Sequence, residues 1–140
     1  MTEQPLASSS TTTRGTYEDN DIFGNPFAGI EVKGKSAPIV WRNRIHDGKQ
    51  AGIYLHEDAG GTYEDNQITG NGGAGVYLKE RAVPTVRRNK FNDNGYAGVW
   101  IADQAGGTFE DNDLRNNKRG PWDIAASAEK SVKRARNIEK

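Results

Sequence analysis

The sequence predicts an all-β protein: a single-stranded right-handed parallel β-helix, or solenoid, of about five turns of 23 residues. Three observations support this prediction. Residues recur at a fixed interval of 23 positions, each repeat holds short stretches in which apolar and polar residues alternate, and only 34% of the 140 residues are hydrophobic. With 17 glycines, this composition suits short strands joined by tight turns better than long amphipathic helices.

Five series of residues keep the 23-residue interval without an insertion. An asparagine series sets the phase, apolar series lie two positions after it and three before it, and Ala-Gly pairs introduce two more apolar positions. The series are Asn20, Asn43, Asn66, Asn89 and Asn112; Ile22, Ile45, Ile68, Phe91 and Leu114; Tyr17, Val40, Tyr63, Val86 and Phe109; Ile30, Ile53, Val76 and Val99; and Val32, Leu55, Leu78, Ile101 and Ile124. Stacked repeats would place each residue about 4.8 Å from its equivalent in the next turn, as in a parallel sheet.

Within one repeat, the alternation predicts three short strands and three turns. Val76-Tyr77-Leu78-Lys79 alternates apolar with polar, and the stretches Tyr63-Glu64 and Gln67-Ile68-Thr69 form two shorter strands with a bend between them. Each turn needs only about five inward side chains, because the turns above and below complete the core. A leucine-rich horseshoe has a similar period, but its Leu-x-x-Leu-x-Leu signature is absent.

The polar and glycine series have predicted structural roles. The asparagines should form an amide ladder at a bend, with each side chain bonded to the next turn. The glycines before Ile30, Ile53, Val76 and Val99 should lie at a tight corner that leaves no room for a Cβ atom. The dipeptides Asn71-Gly72 and Asn94-Gly95 are typical of turns with positive φ.

Charged residues alternate in sign from one turn to the next. The positions before the asparagines are Asp19, Arg42, Asp65, Arg88 and Asp111. Stacking would make an ion-pair ladder, which also argues against a calcium site formed by the aspartates, since arginines lie between them. Lys plus Arg and Asp plus Glu both number 19, so the chain is not a globally basic protein and a nucleic-acid partner is not expected.

The repeat defines three segments. Residues 1–14, with a Ser/Thr run, are predicted as a flexible N-terminal tail, and residues 15–126 as the β-helix domain. Residues 127–140 are predicted as a degenerate last turn or a capping segment, with strand continuation favoured over a helix. Uncovered end turns would expose sheet edges, through which the chain could associate with itself.

Several classes of site and location are not expected. The chain has no cysteine, so disulfides, thiolate nucleophiles and cysteine-ligated metals are excluded. The sequence predicts no metal site and no cofactor. It shows neither a signal peptide nor a transmembrane segment, so no membrane partner is expected and a cytoplasmic location is slightly favoured.

Two stretches carry a family resemblance. Gly61-Thr62-Tyr63-Glu64-Asp65-Asn66-Gln67-Ile68 and Pro84-Thr85-Val86-Arg87-Arg88-Asn89-Lys90-Phe91 resemble the right-handed β-helix repeats grouped around carbohydrate-binding proteins and sugar hydrolases, of pectin lyase-like fold. They are most similar to the β-helix region of F-box proteins that recruit substrates to ubiquitin ligases, and to bacterial relatives of that region. The resemblance implies the fold over about residues 15–125, but no F-box is recognisable.

The outward positions of one strand series are the candidate binding residues. Tyr54, Tyr77 and Trp100 should form an aromatic stripe flanked by Lys33, His56 and Lys79. Such a stripe could stack on sugar rings and bind acidic substituents. The alternative is that these aromatic residues only cover the sheet.

The turn after this strand carries the weaker, catalytic candidates Glu57, Glu80 and Asp103. Carboxylates about 5 Å apart match the spacing in retaining glycosidases, and they could also hold Ca²⁺. Splayed turn residues neutralised by His56, Lys79 and Arg81 are the favoured alternative. Both histidines, His46 and His56, are expected to be solvated surface residues.

Three functional hypotheses follow. The first and favoured one is a non-catalytic binding or scaffold module that recognises a polysaccharide or a protein through the aromatic and charged face. The second is a polysaccharide-active enzyme, a lyase, hydrolase or epimerase. The third is a structural segment of a larger β-helix protein.

Overall fold

In the computed structural model, residues 2–4 and 15–140 are described, and this part of the chain contains sixteen short strands and one 3₁₀ segment. The strands form three parallel sheets. The first sheet contains β1 (Thr2–Gln4), β3 (Asn20–Phe23), β6 (Arg44–His46), β9 (Gln67–Thr69) and β12 (Lys90–Asn92). The second contains β4 (Ile30–Val32), β7 (Ile53–Leu55), β10 (Val76–Leu78), β13 (Val99–Ile101) and β15 (Trp122–Ile124). The third contains β2 (Thr16–Glu18), β5 (Ile39–Trp41), β8 (Thr62–Glu64), β11 (Thr85–Arg87), β14 (Gly107–Glu110) and β16 (Val132–Ala135).

The predicted 23-residue register is confirmed in all three sheets. In the second sheet Tyr77 pairs with Tyr54 on one side and with Trp100 on the other. In the third sheet Val86 pairs with Tyr63 and Phe109. Each of the four turns between Thr16 and Ile101 therefore adds one strand to each sheet, and equivalent residues lie in rows along the solenoid axis.

The core is filled by about five side chains per turn, as the repeat predicts. One turn contributes Ile53, Leu55, Ala59, Tyr63 and Ile68, all at most 1% exposed. The next two turns repeat this set with similar residues. In the second sheet the two ends of each strand point inward and the middle residue points outward, which places the middle residues on the surface in a row.

The predicted asparagine ladder is confirmed. The side-chain amide of Asn43 donates to Asn66 Oδ1 at 3.1 Å, and that of Asn66 donates to Asn89 Oδ1 at 2.9 Å. Each side chain also accepts from the backbone N–H of the preceding asparagine and donates to a backbone carbonyl. The ladder thus satisfies buried backbone groups at the bend of every turn.

The turns predicted with positive φ at Asn71-Gly72 and Asn94-Gly95 are wrong. The positive φ falls one residue earlier, on Gly70 (68°) and Asp93 (59°). Asn71 and Asn94 instead join Asn117 in a second buried ladder, with amide-to-Oδ1 distances of 3.1 and 3.0 Å. The partners of each asparagine come from adjacent turns, so this dipeptide does not act as a local hairpin signal.

The glycine corner is confirmed by the space around it. A Cβ atom on Gly52 would lie 2.4 Å from Ile68 Cγ2 and 2.9 Å from the Gly75 carbonyl oxygen. Neither distance is compatible with a side chain.

The alternating charges form the predicted ladder. Arg42 pairs with Asp19 at 2.9 Å, and Arg88 pairs with Asp65 at 3.2 Å. Because arginines occupy these carboxylates, the aspartates do not converge on a common point.

The two ends differ from the regular turns. Thr2–Gln4, in the segment predicted as a flexible tail, pairs in parallel with Asn20–Ile22, whereas residues 1 and 5–14 of that tail lie outside the described residues. At the other end, Val132–Ala135 continues the third sheet beside Gly107–Glu110, after a 3₁₀ segment at Glu129–Ser131. Among the residues described, no helix has the length and apolar character needed to cross a membrane.

Candidate functional site

The second sheet aligns three aromatic rings on consecutive turns. Tyr54, Tyr77 and Trp100 are the outward middle residues of β7, β10 and β13, and the strand register superposes them. The Tyr54 and Tyr77 ring centroids are 5.2 Å apart at an interplanar angle of 12°, and those of Tyr77 and Trp100 are 3.8 Å apart at 15°. The structure therefore brings the three predicted aromatic residues together in one stack.

Two further rings extend this stack, which we call the ring column: His56, Tyr54, Tyr77, Trp100 and Tyr96. The imidazole of His56 lies 4.3 Å from the Tyr54 ring, and Tyr96 lies against Trp100 at 4.8 Å. The faces of Tyr54, Tyr77 and Trp100 are therefore turned towards neighbouring rings. The sequence predicts a stripe that could stack on sugar rings; in the structure, the spacing between turns places the rings face to face on one another.

A groove of about 400 Å³ runs beside the ring column. Its residues come from four consecutive turns and are Ala28, Lys49, Gln50, Ala51, Tyr54, Gly73, Ala74, Tyr77 and Trp100. Gly73 packs closely against the preceding turn, since a Cβ atom there would lie 2.8 Å from the backbone nitrogen of Ala51. The groove is bordered by aromatic side chains and carries Lys49 and Gln50 as polar groups.

Lys79 lies over one ring of the ring column, that of Tyr54. Its ammonium nitrogen is 5.7 Å from the centre of the Tyr54 ring. A hydrogen bond to Tyr54 raises the pKa of Lys79, so this group stays cationic at neutral pH. Burial raises the pKa of the Tyr77 hydroxyl, which keeps it neutral and able to donate a hydrogen bond. Lys33 is half-buried and lies one turn before His56. Its turn carries Glu31, and no aromatic ring, at the position that pairs with Tyr54.

His56 is buried, at 8% exposure, and the expectation of a solvated surface histidine is wrong for it. Its Nε2 lies 2.6 Å from Oε2 of Glu31, and its Nδ1 lies 3.2 Å from Glu57 and 3.4 Å from Glu80. Tyr54 covers one face of the ring. Three carboxylates and one ring therefore enclose this imidazole.

Glu57, Glu80 and Asp103 occupy equivalent places in consecutive turns and have φ values of 54°, 53° and 46°. The expected neutralisation takes place only in part: His56 lies between Glu57 and Glu80, whereas Arg81 pairs with Asp58 at 2.9 Å. A shallow depression of about 530 Å³ opens beside Glu57 and Glu80. Its lining residues are Gly34, Lys35, Glu57, Asp58, Glu80 and Arg81.

The other histidine is also held by carboxylates. His46 Nε2 lies 2.7 Å from Asp21 and Nδ1 lies 2.6 Å from Asp47. Burial opposes the charged form, but the hydrogen bonds to Asp47 and Asp21 outweigh it and raise the pKa of His46. The two nitrogens point to different carboxylates, so no common site forms around this ring.

Tyr96 and Gly73 were missed in the sequence, although both border the aromatic surface. They belong to a series of variable residues, Phe27, Gln50, Gly73, Tyr96 and Arg119, which share the 23-residue interval. Because the residue type is not repeated in this series, only the 23-residue interval could have placed Gly73 and Tyr96 at this surface.

Comparison with protein families agrees with the observed solenoid fold. A family model described as the right-handed β-helix region matches residues 6–135. The chain belongs to the right-handed β-helix family.

This β-helix is also similar to a solved structure, the periplasmic alginate epimerase AlgG. The TM-score is 0.78 at 19% sequence identity, and the match covers 98% of this chain and 35% of the epimerase. The chain thus spans about a third of the length of that protein. At this level of identity, the similarity concerns the fold.

Proposed function

We propose that this β-helix is a non-catalytic polysaccharide-binding module, and that its ligand lies in the groove beside the ring column. The observation that carries the proposal is the alignment of Tyr54, Tyr77 and Trp100 along a groove whose residues come from four consecutive turns. A groove parallel to the solenoid axis offers similar contacts at each turn. It therefore suits an extended ligand that is itself a repeat.

The chemistry of the groove favours an oxygen-rich ligand. Because the ring faces are stacked on each other, the ring edges are the parts left to meet a ligand, and aromatic edges carry partial positive charge. Hydroxyl and carboxylate oxygens of a glycan complement such edges. Lys49 and Gln50 in the groove and Lys79 over the column add donors for the same oxygens.

The similar fold of an alginate epimerase supports a polysaccharide as the ligand class. A protein ligand on the same face is the competing possibility. Glycan binding by the isolated chain, measured directly, separates the two.

The test is calorimetric titration of the chain with alginate oligosaccharides and with a neutral glucan as a second probe. Trp100→Ala and Tyr77→Ala should each weaken binding by about tenfold, which corresponds to about 1.4 kcal/mol. Trp41→Ala is the matched control, because Trp41 is an outward tryptophan on the third sheet, away from the groove. Undiminished binding in the two column variants, or no binding of either glycan, would overturn the proposal.

A polysaccharide-active enzyme is the second candidate. The observation that favours it is that His56, Glu57 and Glu80 bring ligand-type atoms within 4.8 Å of one another at one end of the ring column. Paired carboxylates at such spacing serve acid–base or nucleophilic roles in glycosidases. Alginate and other uronate polymers are the substrates to test, and an activity that survives in Glu80→Gln would exclude Glu80 from catalysis.

A further inference from the structure

We propose that His56, Glu57 and Glu80 form a binding site for a divalent transition metal ion, with Zn²⁺ as the probe. The ligands would be Nδ1 of His56 and one carboxylate oxygen from each glutamate. These three atoms lie within 4.8 Å of one another. The proposal does not rest on polysaccharide binding.

The distances fit the size of the ion. Zn²⁺ binds imidazole nitrogen and carboxylate oxygen at about 2.0–2.2 Å, so two ligand atoms at a tetrahedral angle are about 3.4 Å apart. His56 Nδ1 lies 3.2 Å from Oε2 of Glu57 and 3.4 Å from Oε1 of Glu80. Two edges of the required tetrahedron are therefore present already.

The imidazole is oriented as a metal ligand. Its Nε2 is held by the carboxylate of Glu31 at 2.6 Å, and Tyr54 stacks on the ring at 4.3 Å. Histidine ligands in metalloproteins commonly use their second nitrogen in this way, which fixes the ring and directs the first nitrogen at the metal. Here the fixed ring directs Nδ1 at the two glutamates, and the His56 side chain is only 10% exposed.

The repeat explains how two glutamates reach the same point. Glu57 and Glu80 are one turn apart, and their turns are joined by a hydrogen bond from the Asp58 N–H to the Glu80 carbonyl at 2.9 Å. Both have φ near 54°, a left-handed conformation that glycine occupies at Gly34 one turn earlier. The two carboxylates face solvent in part, which leaves one coordination position open to water.

The ligand set favours Zn²⁺ and similar ions over Ca²⁺. One nitrogen and two carboxylate oxygens suit Zn²⁺, whereas Ca²⁺ requires six to eight oxygen ligands. His46 provides the contrast within the same chain, because each of its nitrogens is already paired with a separate aspartate.

The experiment is calorimetric titration of the full chain, prepared without a histidine tag, with Zn²⁺, and the absorption spectrum with Co²⁺. We expect one Zn²⁺ per chain at micromolar or tighter affinity, and at least tenfold weaker binding of Ca²⁺. His56→Gln and Glu57→Gln should each weaken Zn²⁺ binding at least tenfold, and His46→Gln should leave it within twofold.

Glu57→Gln tests the site without disturbing the fold, because the Glu57 side chain is 55% exposed and its replacement leaves the core intact. Three results would overturn the proposal. They are no Zn²⁺ binding at millimolar concentration, binding unchanged in His56→Gln or Glu57→Gln, and an equal loss in His46→Gln. Equal affinity for Ca²⁺ and Zn²⁺ would overturn the assignment of a nitrogen ligand.

Discussion

Nε2 of His56 lies 2.6 Å from Oε2 of Glu31, a residue that belongs to the preceding turn of the solenoid. The bond joins β4 to the end of β7 and holds the first ring of the ring column in place. His56 is buried, so the loss of this partner would leave a buried nitrogen without its acceptor.

Glu31→Ala should therefore destabilise the fold by about 1–3 kcal/mol, the usual cost of an unsatisfied buried polar group. Glu31→Gln should cost less, because its carbonyl oxygen can still accept the bond. The free energy of unfolding in urea at pH 7 is the measurement, with Glu18→Ala as the control, since Glu18 pairs with Arg42 at the surface. Equal losses in Glu31→Ala and Glu18→Ala would contradict the assignment.

Asn66→Ala should be among the most destabilising single substitutions in the asparagine ladder. Asn66 accepts the backbone N–H of Asn43 and donates to the carbonyl of Val40. Both backbone groups lose a partner on truncation, at about 1–3 kcal/mol each, so a total loss of about 2 kcal/mol or more is expected. Chemical denaturation measures it, and Gln67→Ala, one residue on and exposed, should change stability by less than about 0.5 kcal/mol.

Two glycines separate the effect of space from the effect of backbone conformation. An alanine at Gly52 would place its Cβ 2.4 Å from Ile68 Cγ2, whereas one at Gly34 would meet nothing within 4 Å but would adopt φ near 68°. Gly52→Ala should cost about 1–3 kcal/mol through overpacking, and Gly34→Ala about 1 kcal/mol through strain. Thermal unfolding should also show that Gly34→Asn is milder than Gly34→Ala, because asparagine tolerates this conformation. A Gly52→Ala variant as stable as the original chain would refute the tight corner.

The register made most of the fold predictable from sequence. A 23-residue interval determines the pairing of the strands from β2 to β15, which is why the row Tyr54–Tyr77–Trp100 follows from the sequence. The end strands depart from it, because Thr2 pairs with Asn20 and Val132 pairs with Gly107. Ring orientation could not be predicted, because it depends on how neighbouring side chains stack. The burial of His56 was missed for a related reason: its cover comes from glutamates of the turns before and after it.

The second asparagine ladder follows from the repeat and not from the local Asn-Gly pattern. Asn71-Gly72 has the form of a hairpin turn, but in a solenoid each asparagine is bonded to its equivalent 23 residues away. Asn71 and Asn94 are 23 residues apart in the sequence, so the repeat alone predicts that their side chains are neighbours.

The stability of the fold should fall slightly as pH rises through the pKa of His46. Burial disfavours the charged imidazole, yet the hydrogen bonds to Asp47 and Asp21 prevail and raise its pKa above 6.5. Arg44, which lies 3.6 Å from Asp21, is the nearby cation that acts against this effect. A raised folded-state pKa means that the stabilisation is complete below pH 6.5 and is lost as pH rises through the folded value. The pairs are near the surface, so a loss on the order of 1 kcal/mol is expected.

The measurement is urea denaturation at several pH values from 5.5 to about 9, together with an NMR titration of the His46 ring. Asp21→Asn should lower the pKa of His46, and His46→Gln should remove this component of the pH dependence. The comparison of His46→Gln with the original chain isolates it from the titration of every other group. An inflection of the His46 signals below pH 6.5 would contradict the prediction, because the carboxylates on the two nitrogens would then fail to outweigh burial.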